Sequence, residues 1–115
     1  GLINEKNYLT GHVNSNFDWW PQAEAMVGFF NAYQNTRNED YTLKTIAIWN
    51  FIKHNIIDSK NGEWFWSVSE SGIKNTSDDK AGFWKCPYHN SRMCLELLER
   101  IEKVVSERNI FGRIN

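Results

Sequence analysis

Between Pro87 and about Glu107, apolar residues recur every three or four positions, and this pattern limits what the chain can fold into more than any other feature. The recurring apolar residues are Cys94, Leu97, Leu98, Ile101, Val104 and Val105. Charged residues lie between them, at Glu96, Glu99, Arg100 and Lys103. Because this spacing follows the helical repeat of about 3.6 residues, the segment is predicted to be an amphipathic helix with one packed face.

Two earlier segments also carry helical signals. Asp18 is suited to cap a helix that runs to about Gln34, and Pro21 would lie in its first turn, where a missing N–H costs little. Asp40 is suited to cap a second helix over residues 40–57. Apolar residues of this second helix recur at every fourth position, at Ile48, Ile52 and Ile56. The main elements of the chain are therefore predicted to be three α-helices.

The stretch between the second and third helices favours a short β-hairpin. An Asn-Gly pair at 61–62 is typical of a turn, and residues 63–68 alternate in the manner of a strand. Residues 69–72 predict the next turn, and residues 73–80 a second, weaker strand. Residues 1–17 are polar and are predicted to be a loop. The expected fold class is all-α with one short hairpin.

Charge and cysteine content exclude several classes of protein. The formal net charge is −1, which argues against a nucleic-acid or acidic-membrane partner held by bulk electrostatics. No apolar run approaches the ~20 residues of a membrane-spanning helix. The two cysteines, Cys86 and Cys94, are too few for a disulfide scaffold, so we expect free thiols in a reducing cytoplasm.

Aromatic residues make up 15% of the chain, which has six tryptophans, and many of them are adjacent. A small core does not need six indoles, and a cleft rich in aromatic rings suits the apolar faces of sugars. The alternative is that the tryptophans only fill the core. In the predicted strand, alternation places Trp64 and Trp66 on one face and Phe65 on the other, and we assign these three to loop packing.

The first predicted helix has two unlike faces, at about 100° of rotation per residue. One face is apolar and contains Ala25, Met26, Phe29 and Tyr33. The opposite face combines an indole, a carboxylate and an amide with small residues, namely Trp20, Glu24, Val27, Gly28 and Asn31. A helix that is apolar on one side and mixed on the other is suited to line a cavity.

The segment "AGFWKCPYHNSRMC", residues 81–94, places several reactive side chains at the start of the third helix. Taken alone, His89 is most simply a helix cap or a satisfied core residue. Cys86, His89 and Cys94 are also spaced as a weak zinc motif, but structural zinc sites generally use two well-spaced pairs. Structural packing is therefore the favoured role of both cysteines, and no metal is expected.

Three segments in this order resemble a known family: "DWWPQAEAMVGFFNAYQ" (18–34), "GEWFWSV" (62–68) and "KAGFWKCPYHNSRMCLEL" (80–97). Together they resemble the C-terminal part of the N-acylglucosamine 2-epimerase superfamily, and most closely the cellobiose 2-epimerases. Trp84, Pro87 and Tyr88 favour the disaccharide-acting branch, because acylglucosamine epimerases usually lack them. The resemblance covers nearly all of the chain from about Asp18.

The resemblance implies a fold and a reaction. The fold is an (α/α)6 barrel whose inner helices surround a cleft, so the whole chain, residues 1–115, would be the C-terminal part of one barrel domain. The activity is that of an isomerase that inverts C2 of a reducing-end aldose or β-1,4-linked disaccharide through a cis-enediolate. It needs no redox cofactor and no obligate metal. Two histidines act as the acid/base pair.

The resemblance also assigns roles to particular residues. His89 would be one of the two catalytic histidines, since imidazole exchanges protons near neutral pH. Glu24 would orient His89, although a solvated charge is the simpler interpretation of a lone Glu. We therefore predict that Glu24 and His89 lie within hydrogen-bond reach or one water of each other.

The predicted sugar-binding residues are Trp84, one of the pair Trp19 and Trp20, and Arg92. Trp20 is preferred within the pair because it lies one turn from Glu24 on the same side, which leaves Trp19 for packing. Arg92, one turn beyond His89, would hold a carboxylate or a sugar oxygen. The simpler alternative for such an arginine is a local salt bridge.

The chain is much shorter than a whole enzyme of this family and lacks the segment that carries the second catalytic histidine. His12 is not a substitute, because its surroundings do not match the family's motif. The alternative function is therefore a catalytically incomplete helical unit that binds carbohydrate weakly or assembles with other chains. The face left by missing barrel helices would favour self-association.

Overall fold

A computed structural model describes the backbone of residues 1–111 and the side chains of residues 1–109. In chain order its elements are β1 (Glu5–Lys6), β2 (Val13–Asn14), β3 (Phe17–Asp18), α1 (Trp19–Thr36), α2 (Asp40–Phe51), a π-helical turn (Ile52–Ile56), β4 (Ser67–Val68) and α3 (Tyr88–Phe111). The chain is thus mostly helical, as predicted, with three α-helices in the described residues. Within the same residues, none of the helices combines the length and the hydropathy needed to cross a bilayer.

The start of α1 confirms the predicted boundary but not the predicted cap. Asp18 is the extended residue before the helix, yet its side chain makes no capping hydrogen bond. Its Oδ2 instead accepts a hydrogen bond from Asn4 Nδ2 at 3.0 Å, which ties the N-terminal segment to the helix. At the other end, Arg37 adopts a left-handed conformation and donates its N–H to the carbonyl of Tyr33 at 2.7 Å. This closes the last turn.

The second helix begins at Asp40 as predicted, but its cap and its C-terminal end differ from the prediction. The cap is Glu39 rather than Asp40, whose N–H donates to Asn38 Oδ1 at 3.0 Å. After Phe51 the regular α-helix gives way to the five-residue π turn, although the sequence predicted one helix over residues 40–57. The turn closes with a bond from the Ile57 N–H to the Ile52 carbonyl, five residues back, at 3.0 Å, and both of its isoleucines are buried before the chain becomes extended.

The predicted hairpin exists, but the two sheets of the structure are formed by other strand pairs. Val68 and Lys74 form an isolated bridge, and the carbonyl of Ser67 accepts the N–H of Asn75 at 2.9 Å. β4, however, pairs with β3 directly before α1, in an antiparallel register of Phe17 with Val68. The prediction of a loop over residues 1–17 is wrong, because β1 and β2 pair antiparallel there.

The predicted alternation of the tryptophan-rich strand is also wrong. Trp64 and Phe65 are both buried, whereas Trp66 is half-buried. The segment does not form a regular strand here, because Trp64 bridges back to Ile57 and its neighbours follow a bend. The ammonium of Lys80 lies 4.9 Å from the ring centroid of Phe65 and covers its face.

The core lies between α1, α2 and the inner side of α3. Its buried apolar residues include Ala23, Met26, Phe30, Tyr33, Ile48, Ile52, Met93, Leu97 and Val104. Ala25 and Phe29, predicted for the apolar face of α1, are only half-buried, so the packed face is rotated toward Ala23 and Phe30.

On α3 the predicted apolar stripe divides into a packed part and an open part. Leu97 and Val104 are buried, whereas Leu98, Ile101 and Val105 remain exposed. Leu98 and Ile101 of the open part line an apolar cleft of about 500 Å³ between α1, α2 and α3. Residues that line this cleft include Met26, Phe30, Ile46, Trp49, Leu98 and Ile101.

Asp58 organises the loop that follows the π turn. Its carboxylate accepts the N–H groups of Lys60 at 3.0 Å and Asn61 at 3.1 Å and binds the Lys80 ammonium. The Lys80 contact, with help from Asn61, holds the pKa of Asp58 well below its usual range. A carboxyl whose pKa is depressed by folding stabilises the fold above its unfolded pKa, and this contribution is lost as the pH falls through the folded pKa.

Asp58→Asn is therefore expected to lower the Tm at pH 7, because the charge-assisted bond to Lys80 is lost. The difference in Tm between the variant and the unmodified chain should become smaller as the pH falls below about 4, where an ordinary Asp carboxyl takes up its proton. Thermal unfolding followed by circular dichroism across this pH range measures both effects. Asp79→Asn, at an exposed acid in the same region, is the matched control. An equal loss of Tm in both variants would contradict the role of Asp58.

Candidate active site

The centre of the site is a hydrogen bond between α1 and the first turn of α3. Oε1 of Glu24 lies 2.6 Å from Nδ1 of His89, which confirms the predicted contact between the two residues. Both side chains are about one-third exposed, so a ligand can reach them. Since a carboxylate only accepts, Nδ1 carries the shared proton, and the neutral imidazole keeps its lone pair on Nε2. The pair therefore presents one nitrogen able to take up a proton.

Arg92 holds the second oxygen of the same carboxylate. Its Nη2 donates to Oε2 of Glu24, and its guanidinium carbon lies 5.3 Å from the ring centroid of Tyr88. Arg92 was predicted to hold a carboxylate or a sugar oxygen, or to form a local salt bridge. The structure shows a carboxylate as its partner, and this contact is a local ion pair. Both carboxylate oxygens are occupied, so Glu24 is fixed in orientation between one cation and one imidazole.

The two adjacent tryptophans at the start of α1 have different environments. Trp20 is 44% exposed, and its ring centroid lies 5.8 Å from that of His89. Trp19 is 2% exposed and meets His89 edge-on with centroids 5.4 Å apart. The prediction that Trp19 points into packing is confirmed. Trp20 is the indole that offers accessible surface beside the imidazole.

Trp84 lies in the exposed segment before α3. It is 83% exposed, and its ring meets that of Phe83 edge-on at 5.0 Å. Among the aromatic rings of the described residues, Trp84 contacts Phe83 and not His89. Trp84 is thus available to a ligand, and its predicted place on the sugar remains a prediction.

The prediction that both cysteines serve packing is wrong, since Cys86 and Cys94 are exposed, unpaired thiols. Cys94 lines the apolar cleft, and partial burial there raises the pKa of its thiol. The described residues contain no cluster of three or more His, Cys, Asp or Glu side chains placed to hold a metal ion.

Two polar contacts near His89 were not predicted from the sequence. Lys85 is buried and donates to the carbonyl of Trp64, while Asn90 Nδ2 lies 3.3 Å from Oε1 of Glu63. The available signal was a lone Lys between aromatic residues, in "GFWKCPY". A charged residue in such a stretch points outward more often than inward, so the sequence did not reveal it.

The sequence model of the N-acylglucosamine 2-epimerase (GlcNAc 2-epimerase) family matches residues 7–92, a span that includes Glu24, His89 and Arg92. The chain belongs to this family. The resemblance drawn from the three sequence segments is thereby confirmed at the level of the family.

Several proteins that are similar to this chain are cellobiose 2-epimerases. It is 50% identical over 98 residues to a cellobiose 2-epimerase of Bacteroides fragilis, covering 85% of this chain and 25% of that one. It is 45% identical over 101 residues to a cellobiose 2-epimerase of Dictyoglomus turgidum, covering 87% and 25%. A solved cellobiose 2-epimerase from Spirochaeta thermophila superposes with a TM-score of 0.85 at 41% identity, covering 90% and 26%. The chain therefore spans about a quarter of the length of these relatives.

Proposed function

We propose that this chain forms part of the active site of a carbohydrate 2-epimerase, an isomerase that inverts C2 of a reducing-end aldose. The observation that carries the proposal is the hydrogen bond of 2.6 Å between Glu24 and His89, beside the exposed indole of Trp20. A histidine held by a carboxylate is a suitable proton carrier, and an open indole is a suitable surface for a sugar ring.

The proposed reaction starts from the open-chain sugar. Nε2 of His89 takes the C2 proton, the electron pair of the broken C–H bond enters the C1–C2 bond, and the carbonyl oxygen becomes that of a cis-enediolate. Glu24 stabilises the resulting imidazolium, and the contact with Arg92 keeps Glu24 oriented. An acid on the opposite face of the enediolate returns a proton to C2. This acid is the family's second histidine, which we expect in a segment outside this chain.

The substrate class we propose is a reducing-end aldose or a β-1,4-linked disaccharide. Trp20 would stack on the ring that reacts, because it lies against His89. Trp84, on the exposed segment before α3, would contact the sugar from the other side or bind the second ring. The names of the relatives from Bacteroides fragilis and Dictyoglomus turgidum favour cellobiose as the first sugar to test.

We further propose that the chain is the C-terminal part of an (α/α)6 barrel domain. The apolar cleft of about 500 Å³ supports this, because its walls expose Ile46, Leu98 and Ile101 to solvent. Apolar patches of this kind are normally covered by another part of the same protein or by a partner. The free thiols of Cys86 and Cys94 favour a reducing compartment, so we propose a cytoplasmic location.

The same cleft supports a second candidate function, a helical assembly unit without its own catalysis. In that case the exposed residues Ile46, Leu98 and Ile101 would bury against another chain, and the Glu24–His89 pair would only stabilise the contact between α1 and α3. The two candidates differ in whether a complete protein that carries this chain turns over a sugar.

A chimera provides the test. This chain replaces the matching quarter of the Bacteroides fragilis cellobiose 2-epimerase, and the chimera is incubated with cellobiose in deuterated water. The expected result is deuterium at C2 of the reducing-end residue together with formation of the C2 epimer, both followed by NMR. A folded chimera that exchanges no C2 proton would favour the assembly unit and reject the epimerase proposal.

A further inference from the structure

Lys85 points inward from a stretch whose other large side chains point outward. It is 2% exposed, whereas Phe83 is 90% and Trp84 is 83% exposed. Among the described residues it is the only buried lysine. Burial of an ammonium costs free energy unless the charge finds partners, so its inward position needs an explanation.

The Lys85 ammonium joins three separate segments of the chain. Nζ donates to the carbonyl of Trp64 in the loop after the π turn, and it lies 5.2 Å from the ring centroid of Trp19 at the start of α1. The backbone of Lys85 closes a tight turn with Gly82, in which the Gly82 N–H donates to the Lys85 carbonyl at 2.8 Å. Burial lowers the pKa of Lys85 to about 8, while the charge of Glu63 opposes this effect.

The partner of this ammonium is also a neighbour of His89. The Trp19 ring contacts both residues, because the Lys85 ammonium lies over it and its centroid is 5.4 Å from that of the His89 imidazole in an edge-on arrangement. Trp19 is 2% exposed and has little freedom to move. The position of the Lys85 ammonium is thus transmitted to one side of the imidazole by a single rigid indole.

A second set of contacts fixes the same loop to α3. Nδ2 of Asn90, the residue after His89, lies 3.3 and 3.4 Å from the two carboxylate oxygens of Glu63. Glu63 has a left-handed backbone with φ of 62°, a conformation that a residue with a side chain holds only where contacts enforce it. Its Oε2 also accepts the N–H of Trp64 at 2.7 Å. The carbonyl that receives Lys85 therefore belongs to a loop anchored beside His89.

We propose that Lys85 is a positioning residue for His89, whose ammonium holds the Trp19 indole and the Trp64 carbonyl so that the imidazole keeps its orientation toward Glu24. A methionine would fill the same volume but would leave the Trp64 carbonyl without its donor and the Trp19 face without its cation. Lys85 touches no reacting atom and acts only through Trp19 and the anchored loop. The kinetic part of this inference rests on the proposed function, whereas the orientation of the imidazole does not.

The test compares Lys85→Met with Lys80→Met in the 115-residue chain. Lys80 is a matched control, because its ammonium binds Asp58 and the Gly62 carbonyl in the same loop and covers Phe65 rather than Trp19. The chain has three histidines, so selectively labelled imidazoles give three NMR signals that single substitutions assign. We expect Lys85→Met to shift the His89 ring signals and Lys80→Met to leave them in place. Unchanged His89 signals in Lys85→Met, or equal shifts in both variants, would overturn the proposal.

Two further measurements keep the test decisive. If Lys85→Met does not fold, nuclear Overhauser contacts in the unmodified chain from Lys85 to the Trp19 ring, and from that ring to His89, support the arrangement, and their absence rejects it.

In the chimera, Lys85→Met should lower kcat on the order of 10-fold to 10²-fold with little change in KM, as expected for misplacement of a catalytic group. A raised KM with normal kcat would overturn the positioning role. A chimera that is inactive with Lys85 intact rejects the epimerase proposal instead, and the NMR comparison still decides the role of Lys85.

Discussion

His89→Asn in the chimera is expected to lower kcat for cellobiose by at least ~10²-fold, the typical cost of losing a general acid or base. Asparagine is close in size to the imidazole ring and can donate to Glu24, so the ion pair of Glu24 with Arg92 should survive. What it lacks is a nitrogen that takes up a proton. The loss should therefore lie in the proton-transfer step and not in folding or binding.

Binding and exchange are measured separately in this experiment. Calorimetric titration with cellobiose should give nearly the same Kd for the His89→Asn chimera, because Trp20 and Trp84 remain to contact the sugar. C2 exchange in deuterated water, followed by NMR, should show the loss of turnover. His54→Asn is the matched control, since the exposed His54 pairs locally with the Asn50 carbonyl at 2.6 Å and is expected to leave both quantities unchanged. Normal turnover by His89→Asn would remove His89 from the mechanism.

The contact between Glu24 and His89 could be predicted because two separate patterns agree on it. Helical spacing placed Glu24 one turn from Trp20 on a mixed face, and the resemblance to a family assigned both Glu24 and His89 to the site. Arg92 was predictable only as one of several options. The sequence shows that it lies one turn beyond His89, but the choice between a sugar oxygen and the Glu24 carboxylate depends on the angle between α1 and α3.

The misplaced elements share a physical cause, which is that tertiary contacts override local patterns. β1 to β4 are two residues each, too short for alternation to be visible, and β3 pairs with β4 across a long separation in the chain. Ile52 and Ile56 are both buried and lie four positions apart, so they would share one face in a regular α-helix as well, and the sequence gives no sign of the wider turn. Asp18 lost its predicted capping role to Asn4, a competing partner supplied by the N-terminal segment.

The burial of Lys85 could not be predicted for a related reason. Nothing in its local sequence distinguishes it from an outward-pointing lysine, and its partners belong to two segments that lie 21 and 66 positions earlier in the chain, at Trp64 and Trp19. A backbone carbonyl is present at every residue and the chain has several indoles, so the sequence does not show which of them would bind the Lys85 ammonium. By contrast, the apolar stripe of α3 was predicted correctly in its spacing, and only its division between Leu97 inside and Leu98 outside depends on the neighbouring helices.

The isolated 115-residue chain is expected not to epimerise cellobiose or lactose, in contrast to the chimera. Inversion at C2 removes a proton from one face of the sugar and returns one to the other, so His89 alone would have to reach both faces of the same enediolate. One of its sides is closed by Trp19, and Nδ1 is engaged by Glu24, which leaves Nε2 to serve a single face. The side chains of Glu24, His89 and Arg92 are also about one-third exposed here, so water competes with the sugar and weakens each charge interaction.

The measurement is NMR of both sugars in deuterated water with equal amounts of the two proteins. Circular dichroism controls for folding of the short chain, and a tryptophan fluorescence titration tests whether it still binds sugar. Formation of the C2 epimer by the folded short chain at a rate near that of the chimera would show that the second histidine is unnecessary and that one imidazole serves both faces.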